Sequence, residues 1–116
     1  MKITNPDDIV KRAESTLDEF VRAVKIDLFT GVIEDTRRDT GRMQGNWQTT
    51  VGSPATGTVS IRSESATVSD MGRKSGGAGD TTYLTNNVPY VGIWEQRDGM
   101  VAKNIARIET NIRKNK

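Results

Sequence analysis

From Asn5 to about Thr36 the apolar residues recur at helical intervals: Ile9, Ala13, Leu17, Phe20, Val21, Val24, Leu28 and Val32. Steps of three and four place them on one face of a helix. Arg12, Glu14, Asp18, Glu19, Arg22, Lys25 and Asp27 fill the remaining faces. Asn5 suits the cap, Pro6 the first helical position, and Asp7 and Asp8 the positive end of the helix dipole. Such a helix is roughly 45 Å long at 1.5 Å per residue. That is long for a chain of 116 residues, so the rest must build its core against only part of a rod. Gly31 costs about 1 kcal/mol against Ala and marks a bend or an early end. The apolar stripe packs on the chain's own sheet or, in part, on a neighbouring subunit; both readings stand.

The pattern changes at Asp39-Thr40-Gly41-Arg42-Met43-Gln44-Gly45-Asn46-Trp47. Residues 34–39 are almost all charged, and Gly41 can take the left-handed conformation that closes a helix or a turn. Trp47, Thr49 and Val51 then alternate with polar residues, which is strand spacing. Gly52-Ser53-Pro54-Ala55 and Gly57 carry turn chemistry. Val59 and Ile61 alternate as a second strand, and the short connection predicts that it pairs antiparallel with the first. A weaker third strand is predicted around 66–69. Residues 70–80 contain four glycines and little to bury, the composition of a flexible loop. Residues 81–87 form another strand candidate. Asn86-Asn87 then suits a turn, and Pro89 ends regular pairing. The aromatic run from Pro89 to Glu95 should pack at the core edge. Asp98 is expected to cap a last helix carrying Val101, Ile105, Ile108 and Ile112. The expected architecture is a single α+β domain over 1–116. It has a long N-terminal helix, a small antiparallel sheet, a flexible Gly-rich loop and a short C-terminal helix.

Composition narrows the chemistry. There are no cysteines and no histidines, which removes thiolate chemistry, the commonest general base and the commonest metal ligand. That weighs against an enzyme while leaving carboxylate chemistry open, and no cofactor is expected. The hydrophobic share is 34%, so the core is lean. Charge is graded: residues 1–40 hold seven Lys/Arg against nine Asp/Glu, and residues 81–116 hold six against three. That gradient suits association end to end with another copy or with a differently charged partner. No run approaches the roughly 18 apolar residues of a membrane span. The N-terminus, acidic where a signal would be basic, leads us to expect assembly in a cytoplasm without membrane contact.

Three constellations invite chemistry. The Gly-rich stretch has Lys74-Ser75 before its glycines and a strand after them, the wrong order for a phosphate-binding loop. Arg73 and Lys74 could still meet phosphate or an acidic partner. Glu34, Asp35 and Asp39 lie among Arg37 and Arg38 and read as a solvated helix end ahead of a metal or acid–base site. Tyr90, Trp94 and Glu95 read as core or subunit contact ahead of a ligand pocket.

Two segments together resemble a tailed-bacteriophage family of tail-completion or neck proteins, also described as head–tail joining or minor tail proteins. Asp39 to Trp47 resembles the family's "D-T-G-R-L-x-x-S-W" segment. Asn87-Val88-Pro89-Tyr90-Val91-Gly92-Ile93-Trp94-Glu95 resembles its later "N-x-x-P-Y-A-x-x-x-E", and Gly99-Met100-Val101 its "G-M-V". The chain departs from the pattern after Glu95, where Gln96-Arg97-Asp98 stands before Gly99.

The resemblance implies a non-catalytic α+β subunit of a typically six-fold ring at the head-proximal end of the tail. In the virion such a ring ends tail-tube growth, docks on the head-closure or connector protein, and passes the genome DNA. On this reading Asp39, Gly41, Arg42, Trp47, Pro89, Tyr90, Trp94 and Glu95 set the subunit frame, with Arg42 pairing with Glu95. Gly72, Arg73, Lys74, Gly76, Gly77 and Gly79 offer a partner-contact loop, with Arg73 and Lys74 toward DNA in the lumen. Two alternatives stay open: another virion component, such as a head-closure or tail-tube protein, or a small DNA-binding regulator suited to a pI of about 9.1.

Overall fold

In a computed structural model, residues 6–37 and 41–114 are described, with side chains from Thr16 onward. Five helices and two strands follow in order: α1 (Pro6–Asp35), α2 (Arg42–Gly45), β1 (Trp47–Val51), α3 (Glu64–Lys74), β2 (Thr82–Asn86), α4 (Val91–Asp98) and α5 (Met100–Lys114). The fold is α+β, as its sequence pattern predicts. The expected Asn5 cap lies outside the described residues.

α1 runs through Gly31 without ending there. The glycine serves a crossing instead. A Cβ at Gly31 would collide with the Asn104 side-chain amide on α5 and crowd the Arg107 guanidinium, so the missing side chain leaves the room these two groups occupy. α5 runs antiparallel to α1, with Asn104 donating to Asp35 (2.9 Å) and Arg107, one turn later on α5, pairing with Asp27 (3.1 Å), about two turns earlier on α1. α3 packs on α1 and on β1. The body therefore covers the C-terminal part of α1, while Leu17 and Phe20 stay 61% and 52% exposed. The extents of 57 × 28 × 22 Å record that mismatch between rod and body.

β1 pairs antiparallel with β2, not with residues 58–62. The expected hairpin partner forms no strand, because side chains take up the backbone groups that a ladder would use. Asn46 accepts from the Val59 N–H at 2.8 Å, Gln48 donates to the Gly57 carbonyl at 2.9 Å, and Arg62 reaches the Trp47 carbonyl at 2.7 Å. The expected third strand at 66–69 is also corrected, since these residues belong to α3. Ser63 caps that helix by accepting from the Ala66 N–H, Glu64 sits in the first turn, and Arg73 and Lys74 close the last. Those end signals fit both poles of the dipole and override a four-residue alternation.

Among the described residues, as many polar as apolar side chains are buried. Val32, Ile33, Met43, Trp47, Met71, Val88, Met100 and Ile108 are buried, but so are Thr36, Gln44, Asn46, Thr49, Thr67, Asp70, Ser75 and Asn104. Among the described residues, no buried side-chain nitrogen or oxygen lacks a hydrogen-bond partner. A lean core thus gains uniqueness from matched polar groups. Gln44, for example, donates to the Ile33 carbonyl (3.1 Å) and to Glu64 (3.1 Å), tying the end of α1 to the start of α3.

Asp70 is the charged member of this set. Burial raises its pKa, but hydrogen bonds and charge from Lys74 and Arg62 outweigh that and hold the carboxyl below the ordinary range. A depressed folded-state pKa stabilises the fold above the unfolded value of about 3.9, and the contribution is lost as pH falls through the folded value. Asp70→Asn should therefore cost about 1.5–3 kcal/mol at neutral pH and flatten the acid side of a melting-temperature profile. Equal acid sensitivity of variant and wild type would contradict this.

Candidate functional site

The two motif segments, some forty residues apart in sequence, meet at one end of the sheet. Trp47 lies opposite Asn86 in the ladder. The Asn86 amide donates to the Met43 carbonyl at 2.7 Å, and its oxygen accepts from the Val88 N–H at 3.2 Å. The first segment is thus stitched to the turn that opens the second. Gly41 takes φ +79° at the start of α2, a left-handed backbone that favours glycine, so a short helical turn stands between hinge and strand. Asn46, fully buried, donates to the Arg42 carbonyl at 2.7 Å and closes that turn.

Trp47 is the anchor. Its indole N–H donates to the Thr36 hydroxyl at 2.8 Å, and that hydroxyl donates to the Val32 carbonyl at 2.6 Å. The end of α1, β1 and the motif are locked through one side chain. Tyr90, Val91 and Trp94 pack against the same cluster, at the core edge as their sequence position predicts. Outside them lie cations: Arg42 stands 5.9 Å from the Tyr90 ring, while Arg37 and Arg97 lie 4.2 and 5.1 Å from the Trp94 ring. Stacking of this kind desolvates little of the guanidinium charge. Arg37 also pairs with Asp98 at 3.2 Å, and its hydrogen bonds and charge hold that carboxyl below the usual range.

Two pairings differ from expectation. Glu95 does not partner Arg42. Its two oxygens accept from the backbone N–H groups of Val101 (2.9 Å) and Ala102 (3.2 Å). Glu95, rather than Asp98, therefore caps α5. Gly99 explains the switch: its left-handed turn (φ +63°) joins α4 to α5 and folds Glu95 back onto the new helix start. Pro89 is exposed in the turn before α4, and Asp39 lies outside the described residues.

The candidate contact loop is divided. Gly72, Arg73 and Lys74 form the last turn of α3, with both cations on Asp70 at 3.1 Å. Gly76, Gly77 and Gly79 lie in a turn tied to α1. Lys25 donates to the carbonyls of Gly77 (2.7 Å) and Asp80 (2.9 Å) and to the Thr82 hydroxyl (3.0 Å), and Asp18 accepts from the Ala78 N–H (3.0 Å). This turn meets the sheet at Val51 and Thr82, the end away from Trp47 and Asn86. The four steps between place the two candidate surfaces about 14 Å apart along the strands.

Sequence reading missed Arg37, Arg97, Gln44, Asn46 and Asn86. Arg37 sat in a charged run that read as a solvated helix end, and Arg97 in the stretch where the chain departs from the family pattern. The amides carry no periodicity, and only their partners across the fold reveal them. Among the described residues, no helix is long and apolar enough to cross a membrane, and no group of three or more acidic residues could hold a metal. Compared with family models, with curated proteins and with solved structures, the chain matches none.

Proposed function

We propose that this chain is a structural, non-catalytic subunit of a phage neck. It forms a ring, six-fold by the resemblance, at the head-proximal end of the tail, ends the tail tube and receives the head connector. The observation that carries this reading is the meeting of the two motif segments. Residues that resemble one family's signatures, far apart in sequence, form a single junction: Arg42 stands over the Tyr90 ring, Tyr90 and Trp94 pack on the cluster that holds Met43 and Trp47, and Asn86 stitches Met43 to Val88. The second support is two-sidedness. The arginine–aromatic surface and the glycine turn lie at opposite ends of the sheet, as docking on a tail-tube protein and a head-closure protein requires. Arg73 and Lys74 are our candidates to face DNA in the lumen, for they stay well exposed while paired with Asp70.

Deleting the gene from a phage that carries it should leave filled heads lying apart from tails, or tails of abnormal length, in electron micrographs of the lysate. Intact virions would remove the neck assignment. DNA binding by the purified chain that weakens steeply with salt would then move a regulator to the front, with Arg37, Arg42 and Arg97 as its contact surface.

A further inference from the structure

The sheet has two edges, and they are treated differently. The hydrogen bond from Gly52 N–H to the Thr81 carbonyl (2.9 Å) sets the phase of the ladder. Trp47, Thr49 and Val51 therefore turn their backbone groups away from β2, and Thr82, Leu84 and Asn86 turn theirs away from β1. The β1 edge is covered: Arg62 takes the Trp47 carbonyl, and residues 55–62 run alongside, held by Asn46, Gln48 and Asn87. The β2 edge is bare among the described residues, apart from the Lys25 ammonium on the Thr82 hydroxyl. Among the described residues, β1 is the one element in extensive contact with β2, and no described group bonds the outward N–H and C=O of Thr82 or Leu84. No residue of β2 is fully buried. Soluble proteins protect such edges with charge, proline or bulges. Here residues 81–94 carry no charge at all, although 28% of the chain is charged, and β2 itself has no proline.

Beside that edge opens an apolar cavity of about 220 Å³ between β2, α1 and α5, lined by Leu28, Phe29, Leu84, Val101 and Ile105 among others. A bare strand edge over an apolar cavity is the arrangement that takes up an extended segment: backbone bonds give affinity and alternate side chains enter the cavity.

The chain carries a matching segment. Thr58-Val59-Ser60-Ile61-Arg62 has strand alternation but no strand partner at home, and Val59 and Ile61 are left 38% and 62% exposed. Two apart, they project to one side of an extended chain, the same spacing as Thr82 and Leu84 on the acceptor. The Val59 N–H is held by Asn46, so in a strand Thr58 and Ser60 present their backbone groups outward. Residues 51–61 are uncharged. The cations at either end already have partners: Arg62 is held by Asp70 and the Gly45 and Trp47 carbonyls of its own chain, and Lys25, on the Thr82 hydroxyl, by the Gly77 and Asp80 carbonyls, so the contact leaves no buried charge unpaired.

We infer that residues 58–62 of one copy add as a third strand to the β2 edge of a second copy, with Val59 and Ile61 entering its cavity. This rests on the ring reading only in naming a second copy as occupant. Donor and acceptor lie on opposite edges of one sheet, so the contact is heterologous, and heterologous contacts close into rings when the rotation permits. Leu17, about three turns before Leu28 on the same face of α1, and Ile112 on α5 extend the apolar acceptor surface beyond the cavity.

The test uses the absence of native cysteines. Full-length Ile61→Cys and Ile105→Cys proteins, both altered at exposed positions, are mixed under mild oxidation, with sedimentation run in parallel. Held together in one assembly, the two positions should cross-link at least about tenfold more in the mixture than either protein does alone. The double variant should give a ladder. Ile61→Asp should abolish assembly while leaving the melting curve in place. Assembly without this cross-link, or with links between two Ile61→Cys chains as abundant, would overturn the inference and leave the ring standing. Monomers at every concentration up to millimolar would overturn both.

Discussion

Trp47→Ala should cost about 3–5 kcal/mol, the usual loss for truncating a buried tryptophan. The side chain is 5% exposed and stands at the centre of the core cluster. Its removal also strips the Thr36 hydroxyl of its donor. Domains of this size hold only about 5–15 kcal/mol in total, so the melting temperature should fall by more than about 10 °C. Trp47→Phe keeps most of the volume and loses the hydrogen bond, and should cost about 1–2 kcal/mol. Chemical denaturation followed by circular dichroism measures both. Equal losses for Ala and Phe would mean that the hydrogen bond, not the packing, carries the effect.

Gly31→Val should also be severe, on the order of 3 kcal/mol from overpacking and broken hydrogen bonds. In an isolated helix valine is no worse than glycine. Here the new Cβ meets the Asn104 amide, and Asn104 is 2% exposed and bound to Asp35, Met100 and Arg107. It has nowhere to go. Asn104→Ala alone should destabilise, yet the double variant should cost clearly less than the sum of the singles, because the smaller residue makes room. Strict additivity in this cycle would contradict close packing at the α1–α5 crossing.

The regular elements were legible where periodicity was long. α1 announces itself through its apolar steps of three and four, and β1 and β2 through alternation and β-forming residues. α5 follows its isoleucines, though Asn104 rather than Ile105 takes the buried position beside Ile108. The misreadings share a cause: partners distant in sequence decide short segments. Residues 58–62 have strand alternation, but Asn46, Gln48 and Arg62 occupy the groups that would pair them. Residues 66–69 are too few to tell strand from helix, and the cap at Ser63 decides. Gly31 reads as a weakness of α1 until α5 is laid across it. The glycines at 76–79 read as a loose loop until Lys25 and Asp18, more than fifty residues earlier, tie the turn to α1.

The candidate site was legible as residues and illegible as geometry. Arg42, Trp47, Tyr90 and Trp94 do gather at one end of the sheet. Glu95 sits beside them but serves the start of α5, a role that needs the left-handed turn at Gly99. Arg37 and Arg97, the two arginines over Trp94, had no pattern to set them apart.

The most direct test of the neck reading is add-back. Purified full-length protein is mixed with a lysate of the gene-deleted phage that holds filled heads and separate tails, and infectious particles are counted. The account predicts that plaque counts rise by orders of magnitude, with micrographs showing heads joined to tails of normal length. A lysate in which the protein leaves the count and the particles unchanged, or one that already holds intact virions, would contradict it.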